Sequence, residues 1–134
     1  MAHKAPIIAL VDDDKIFQLT ASKTLKATAI PDKILQFENG EDALNFIRTH
    51  MADAGTLPDY IFLDINMPLT DGWMFLDDYE DLKKGLPKPI YIYMVSSSID
   101  PRDISRAKSN INVKDYVVKP VTREKFLELL RNAA

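Results

Sequence analysis

Cysteine is absent from all 134 residues, which excludes disulfides, thiolate metal sites and cysteine nucleophiles and fits a reducing compartment. Histidine is scarce: His3 reads as part of a mobile terminus and His50 as a helix surface, so neither is expected to be a ligand. Long apolar runs are missing too. The best secretory candidate, Pro6 to Val11, is too short and runs into three aspartates, so a soluble cytoplasmic chain with no membrane contact is expected. Nor is there an excess of charge of one sign. Seventeen basic residues interleave with 20 acidic ones for a net charge of -3, which argues against direct nucleic-acid binding. What is present is a 46% hydrophobic composition, enough for one compact domain over 1–134 and for no second domain. That one domain must hold the function.

Short apolar runs alternate with segments of helical period, and neither repeats nor low-complexity tracts interrupt them. The pattern predicts five strand–helix units. Strands are expected at about 6–11, 33–37, 59–63, 90–95 and 115–118. The first helix, about 15–28, carries Phe17, Ala21 and Leu25 on one face. Asn39-Gly40 reads as a turn before a second helix with Ala43, Phe46, Ile47 and Met51 inward. The third, about 72–83, offers Trp73, Leu76 and Leu82. Asp100-Pro101 reads as a cap with proline at the first helical position, opening a fourth helix with Ile104, Ala107 and Ile111. Thr122 caps a fifth with Phe126, Leu127 and Leu130 inward. Repeated βα units with short loops imply a parallel sheet covered on both faces, the doubly wound α/β class.

Four of the apolar runs end in polar groups. Ile7 to Val11 runs into Asp12, Asp13 and Asp14; Tyr60 to Leu63 into Asp64; Ile90 to Val95 into Ser96; Tyr116 to Val118 into Lys119. In a parallel sheet these ends converge on one edge, where open α/β sheets place their ligands. Asp14 is expected to cap the first helix, and Thr70 and Asp71 to form the turn and cap of the third. Asp12, Asp13 and Asp64 would repel one another unless a cation compensates, and an oxygen-only donor set with room for water and phosphate favours Mg²⁺. A carboxylate is a competent phosphoryl nucleophile without a base. Lys119 and Ser96 then supply an ammonium and a hydroxyl for the phosphoryl oxygens.

Val11-Asp12-Asp13, Asp64-x-Asn66-Met67-Pro68-x-x-Asp71-Gly72, Val95-Ser96 and Asp115-Tyr116-Val117-Val118-Lys119-Pro120 together resemble the response-regulator receiver domain of two-component signalling. The chain is similar to the stand-alone chemotaxis type over nearly its whole length. The resemblance implies a flavodoxin-like sheet in the order 2-1-3-4-5 with five helices, with Asp64 as phosphoacceptor and Asp13, Asp12 and the backbone carbonyl of Asn66 around Mg²⁺. It also implies Lys119 on the phosphoryl oxygens, Ser96 and Tyr116 as coupled switch residues, and commonly a cis peptide before Pro120. The donor would be a sensor histidine kinase or histidine phosphotransfer protein, docking near Ile16, Phe17 and Pro120. Phosphotransfer and autodephosphorylation would be the protein's own modest activities. The resemblance further implies that Ser98 and Asn66 would influence water access to the acyl phosphate. With no effector domain in this chain, output would pass through a downstream protein partner at the fourth helix, fifth strand and fifth helix, a face through which many receivers dimerise.

Two departures stand out: Ser96 replaces the commoner Thr, and Asn110 to Lys114 lacks the small residues often found before the fifth strand. A haloacid-dehalogenase-like hydrolase, with Asp12 as nucleophile and Asp14 as general acid, is the competing reading. Lys15 after the Asp-x-Asp and the lack of an acidic pair after Lys119 count against it. An FMN-binding flavodoxin shares the class, but Asp12 to Asp14 would repel the phosphate.

Overall fold

The computed structural model describes residues 5–67 and 70–132. Strands β1 (Ile7–Val11), β2 (Lys33–Phe37), β3 (Tyr60–Asp64), β4 (Tyr91–Ser96) and β5 (Val113–Val118) alternate with helices α1 (Lys15–Ala27), α2 (Gly40–Thr49), α3 (Gly72–Leu82), α4 (Pro101–Lys108) and α5 (Arg123–Asn132). All four strand pairings are parallel and the order is β2-β1-β3-β4-β5. This is the doubly wound α/β fold that the alternation of periods predicts. Central strands β1 and β3 are buried at every residue, whereas edge strand β2 is not, as expected of a sheet covered on both faces.

Alternate residues of each central strand feed two cores. Ala9, Val11, Ile61, Leu63, Ile92 and Met94 pack with α2, α3 and α4; Ile8, Leu10, Phe62, Tyr93 and Val95 pack with α1 and α5. Each fully buried Leu, Ile or Phe contributes about 1.5–3 kcal/mol against the entropy of ordering. Helix α5 is also tied polarly to the sheet. Tyr60 and Tyr93 donate their hydroxyls to the carbonyls of Leu130 and Leu129 near the end of the helix. Because α1 leaves β1 toward β2 while the chain returns to β3 on the other side, the topological switch point falls between β1 and β3.

Several local expectations shift. Asn39 is the N-cap of α2, its side chain accepting from the Asp42 N–H, and Gly40 is already helical, so the Asn-Gly pair opens a helix. Leu44, Phe75 and Tyr79 are core residues, while Trp73 and Leu82 are only half-buried. In α5 Leu129 joins the expected Phe126 and Leu130 inside, and Leu127 lies on the half-exposed flank. Helix α4 ends at Lys108, leaving Ile111 beyond it and 83% exposed. Asn110 explains this early stop. Its side chain accepts from the Asn112 N–H, while Asn112 bridges Glu80 and Lys83 of the α3 end, a polar anchor where small residues were expected.

Candidate functional site

Local capping aligns the loops at the carboxyl edge. Asp14, Asp71 and Asp100 cap α1, α3 and α4, each accepting backbone N–H groups, and Thr122 accepts from the Lys125 N–H at α5. Asp14 accepts from both Ile16 and Phe17. With that carboxylate committed to the helix, the general-acid role required by the hydrolase reading has no candidate at that position.

The sheet register then sets the centre. Val11 pairs with Leu63, so Asp12 lies level with Asp64; Asp64 pairs with Val95, and Ser96 with Val118, immediately before Lys119. Oxygens of Asp12, Asp13 and Asp64 all lie within 4.8 Å of one another. Lys119 Nζ stands 2.7 Å from Asp12 Oδ2 and 3.8 Å from Asp64 Oδ1, held over the Phe17 ring at 4.5 Å. The Lys119–Pro120 peptide is cis, and the Lys119 N–H donates to the Ser96 carbonyl at 2.8 Å.

The electrostatics are strained toward a cation. Burial first, and then the charge of Asp12, push the Asp64 carboxyl from 3.8 up to about 6; Lys119 and the Ile65 N–H at 2.9 Å oppose the rise, and Asp13 adds to it. Asp12 is 1% exposed; its Oδ1 accepts from the Asp14 N–H at 2.9 Å. Its Oδ2 meets Lys119 as an ion pair that lacks hydrogen-bond directionality, so this buried oxygen has no directed donor. One ammonium does not balance three carboxylates. The all-oxygen donor set and the uncompensated negative charge both fit a hard divalent cation.

Ser96, at the end of β4, is buried, and its Oγ accepts from the Ser98 N–H at 3.1 Å. The Ser98 carbonyl accepts from the Tyr116 hydroxyl at 2.8 Å, and Ser98 Oγ donates to Asp103 and accepts from the Asp100 N–H. One serine therefore connects Ser96, Tyr116 and the start of α4. Tyr116→Phe is expected to lose about 1 kcal/mol of stability in urea denaturation, one hydrogen bond's worth. Asn66 is exposed beside the cluster, while Pro68 and His3 lie outside the described residues. His50 caps the end of α2 and contacts the Phe46 carbonyl at 2.8 Å.

The sequence reading missed Gln18 altogether and took Gly72 only as part of a motif. Gln18 is buried on the Ala21, Ser22, Leu25 stripe of α1, a polar residue on an apolar face that was available as a signal. Gly72 packs against the Asp64 backbone. Size alone points elsewhere: clefts of 840 and 890 Å³ open around the strands' starting ends, whereas the one beside Asp12 and Asp13 is 320 Å³. Charge and burial, not volume, single out the carboxyl edge.

Fold and cluster together define a doubly wound domain with an acidic pocket at its switch point. The chain belongs to the response regulator receiver domain family, whose model matches residues 8–131, and is thus a signalling-switch domain of two-component systems. A two-component response regulator from rice, ORR41, is 32% identical over 94% of this chain and 92% of its own. A crystal structure of a two-component response regulator from Cytophaga hutchinsonii superposes with a TM-score of 0.87 at 29% identity, covering 97% of both chains. The Mg²⁺-complexed receiver domain of the histidine kinase CKI1 from Arabidopsis thaliana matches in fold, with a TM-score of 0.83 at 20% identity over 98% and 93% of the chains. Among the described residues, no helix is long and apolar enough to cross a membrane.

Proposed function

We propose that Asp64 accepts a phosphoryl group from a phosphohistidine of a sensor kinase or phosphotransfer protein. The observation that carries this reading is the 4.8 Å cluster of Asp12, Asp13 and Asp64 with Lys119 beside it. An Asp64 carboxylate oxygen attacks phosphorus, an acyl-phosphate P–O bond forms, and the P–N bond breaks with its electron pair going to the donor imidazole. Lys119 neutralises charge on the equatorial phosphoryl oxygens, and Ser96 donates to one of them once its Oγ leaves the Ser98 N–H. Asp12, Asp13, Asp64 and the Asn66 carbonyl are the residues that would hold Mg²⁺. The cation, when bound, supplies the positive charge that lets Asp64 react as a carboxylate although its carboxyl is shifted up to about 6.

The modified residue is the output. Ser96 and Tyr116 both bond to Ser98, so withdrawing Ser96 toward a phosphoryl group biases the Ser98 loop and the α4 start. Exposed Ile99, Ile111 and Val118 mark the α4, β5 and α5 side as the surface read by a downstream partner or a second copy. Exposed Ile16, with Phe17 and Pro120, marks the donor side. Spontaneous loss of the phosphoryl group to water resets the switch. Incubation with acetyl phosphate followed by intact-mass measurement tests the reading: the wild type is expected to gain one phosphoryl group with Mg²⁺ and none with chelator. An equal gain under chelator would refute it.

A further inference from the structure

We infer that Gln18 is a positioning residue that locks the β1–α1 turn and thereby aims Asp12 and Asp13 into the cluster; this rests on reading the cluster as the cation site. The Gln18 Nε2 lies 3.0 Å from the Leu10 carbonyl, 3.1 Å from that of Asp12 and 3.1 Å from that of Phe37. All three are acceptors, so this end of the amide must be the nitrogen. The three carbonyls belong to the end of β1, the turn itself and the end of β2. The Asp12 N–H also donates to the Phe37 carbonyl at 3.0 Å. Both peptide groups of Asp12 are therefore fixed, one by β2 and the other by Gln18, leaving its side chain to face Lys119. The Asp14 N–H then closes on Asp12 Oδ1, and that turn carries Asp13.

Packing alone does not account for a glutamine here. Gln18 is 8% exposed and shares the buried stripe of Ala21, Ser22 and Leu25, where an apolar side chain would fill the space. Its Oε1 is buried without a partner, a cost that a purely space-filling residue would avoid. The compensating feature is that one amide, its two hydrogens shared among three carbonyls, ties two strands and a turn together at the point where the acidic residues emerge. It stands to the candidate ligands as the supporting shell of a metal site stands to its ligands, where loss of such partners commonly costs about 10–100-fold in affinity.

The test compares wild type, Gln18→Leu and Tyr93→Phe, the last losing a buried hydrogen bond to the Leu129 carbonyl remote from the cluster. Amide hydrogen exchange in metal-free protein reads the turn directly, and calorimetric titration with MgCl₂ reads the cluster. In Gln18→Leu, exchange at Asp12 and Asp14 is expected to accelerate about ten-fold relative to β3 amides, and Mg²⁺ binding to weaken about ten-fold. Tyr93→Phe is expected to change neither. Should Gln18→Leu not fold, Gln18→Asn keeps an amide one methylene short and poses the same question. Unchanged exchange at Asp12 and Asp14, or equal losses in Tyr93→Phe, overturns the inference. Accelerated exchange with no Mg²⁺ bound even by wild type sinks the cation reading and leaves the positioning role standing.

Discussion

Asp64→Asn is expected to abolish phosphoryl uptake from acetyl phosphate and, at the same time, to make metal-free protein more stable at pH 7.5. The first effect removes the proposed nucleophile. The second follows from the carboxyl's position above its ordinary range: about 6 in the fold against 3.8 for an ordinary aspartate. Between those values the folded state binds more protons than the unfolded one, so the stability contributed by this group is fully present below about pH 3.8 and declines as pH rises toward 6. A bare conversion of the shift gives about 3 kcal/mol, and solvent screening at the open edge of the sheet reduces it to about 1–2 kcal/mol. Asparagine has nearly the same shape and no charge. Urea denaturation in chelator at pH 4.5 and 7.5 should show the mutant's advantage growing severalfold from the lower pH to the higher. A mutant less stable than wild type at pH 7.5 would contradict the assigned environment. Added Mg²⁺ should then stabilise wild type and narrow the gap, because a ligand of the folded state alone raises stability by mass action.

Gly72→Ala should do the opposite and damage both stability and chemistry. At the first turn of α3, propensity by itself favours alanine by about 1 kcal/mol. Space decides otherwise. A Cβ there would stand 2.6 Å from the Asp64 carbonyl oxygen, 2.9 Å from Met94 Cε and 3.0 Å from Ile65 Cα. The methionine can yield, but the other two atoms are backbone at the end of β3, and the Gly72 N–H is itself bonded to the Ile65 carbonyl at 2.8 Å. Overpacking of this kind costs about 1–3 kcal/mol, so a net loss of up to about 2 kcal/mol is expected. Relief requires α3 or the Asp64 peptide to move, and a displacement approaching 1 Å in a reacting group costs about 10²-fold in rate. Gly55→Ala is the control. Its Cβ would meet only Asp53 Oδ1 at 3.5 Å, ordinary contact, and it should match wild type in both denaturation and phosphoryl uptake.

Capping, strand-to-helix alternation and the polar groups at the strand ends were legible in the amino-acid sequence, since each is a local pattern. Asp14, Asp71, Asp100 and Thr122 cap helices as expected because a cap needs only N–H groups two or three residues away. The five βα units likewise sufficed for the fold class, and the motifs for the family. Interior-facing detail was less accessible. Leu127 and Leu129 are equally apolar and both near the helical stripe, and only the approach of α5 to β3 and β4 puts Leu129 inside. Ile111 looked like helix because nothing in its own chemistry reveals that Asn110 turns the chain before it.

Which acids lie near the sheet edge was therefore set by strand ends, but what each became was set by packing. Asp12, Asp13 and Asp14 are chemically alike in sequence; in the fold the first is buried against Lys119, the second is exposed at the cluster and the third is consumed by a helix. The upward shift of Asp64 and the steric demand at Gly72 exist only once β3 sits between β1 and β4, since desolvation, Coulombic repulsion and close contact depend on distances through space.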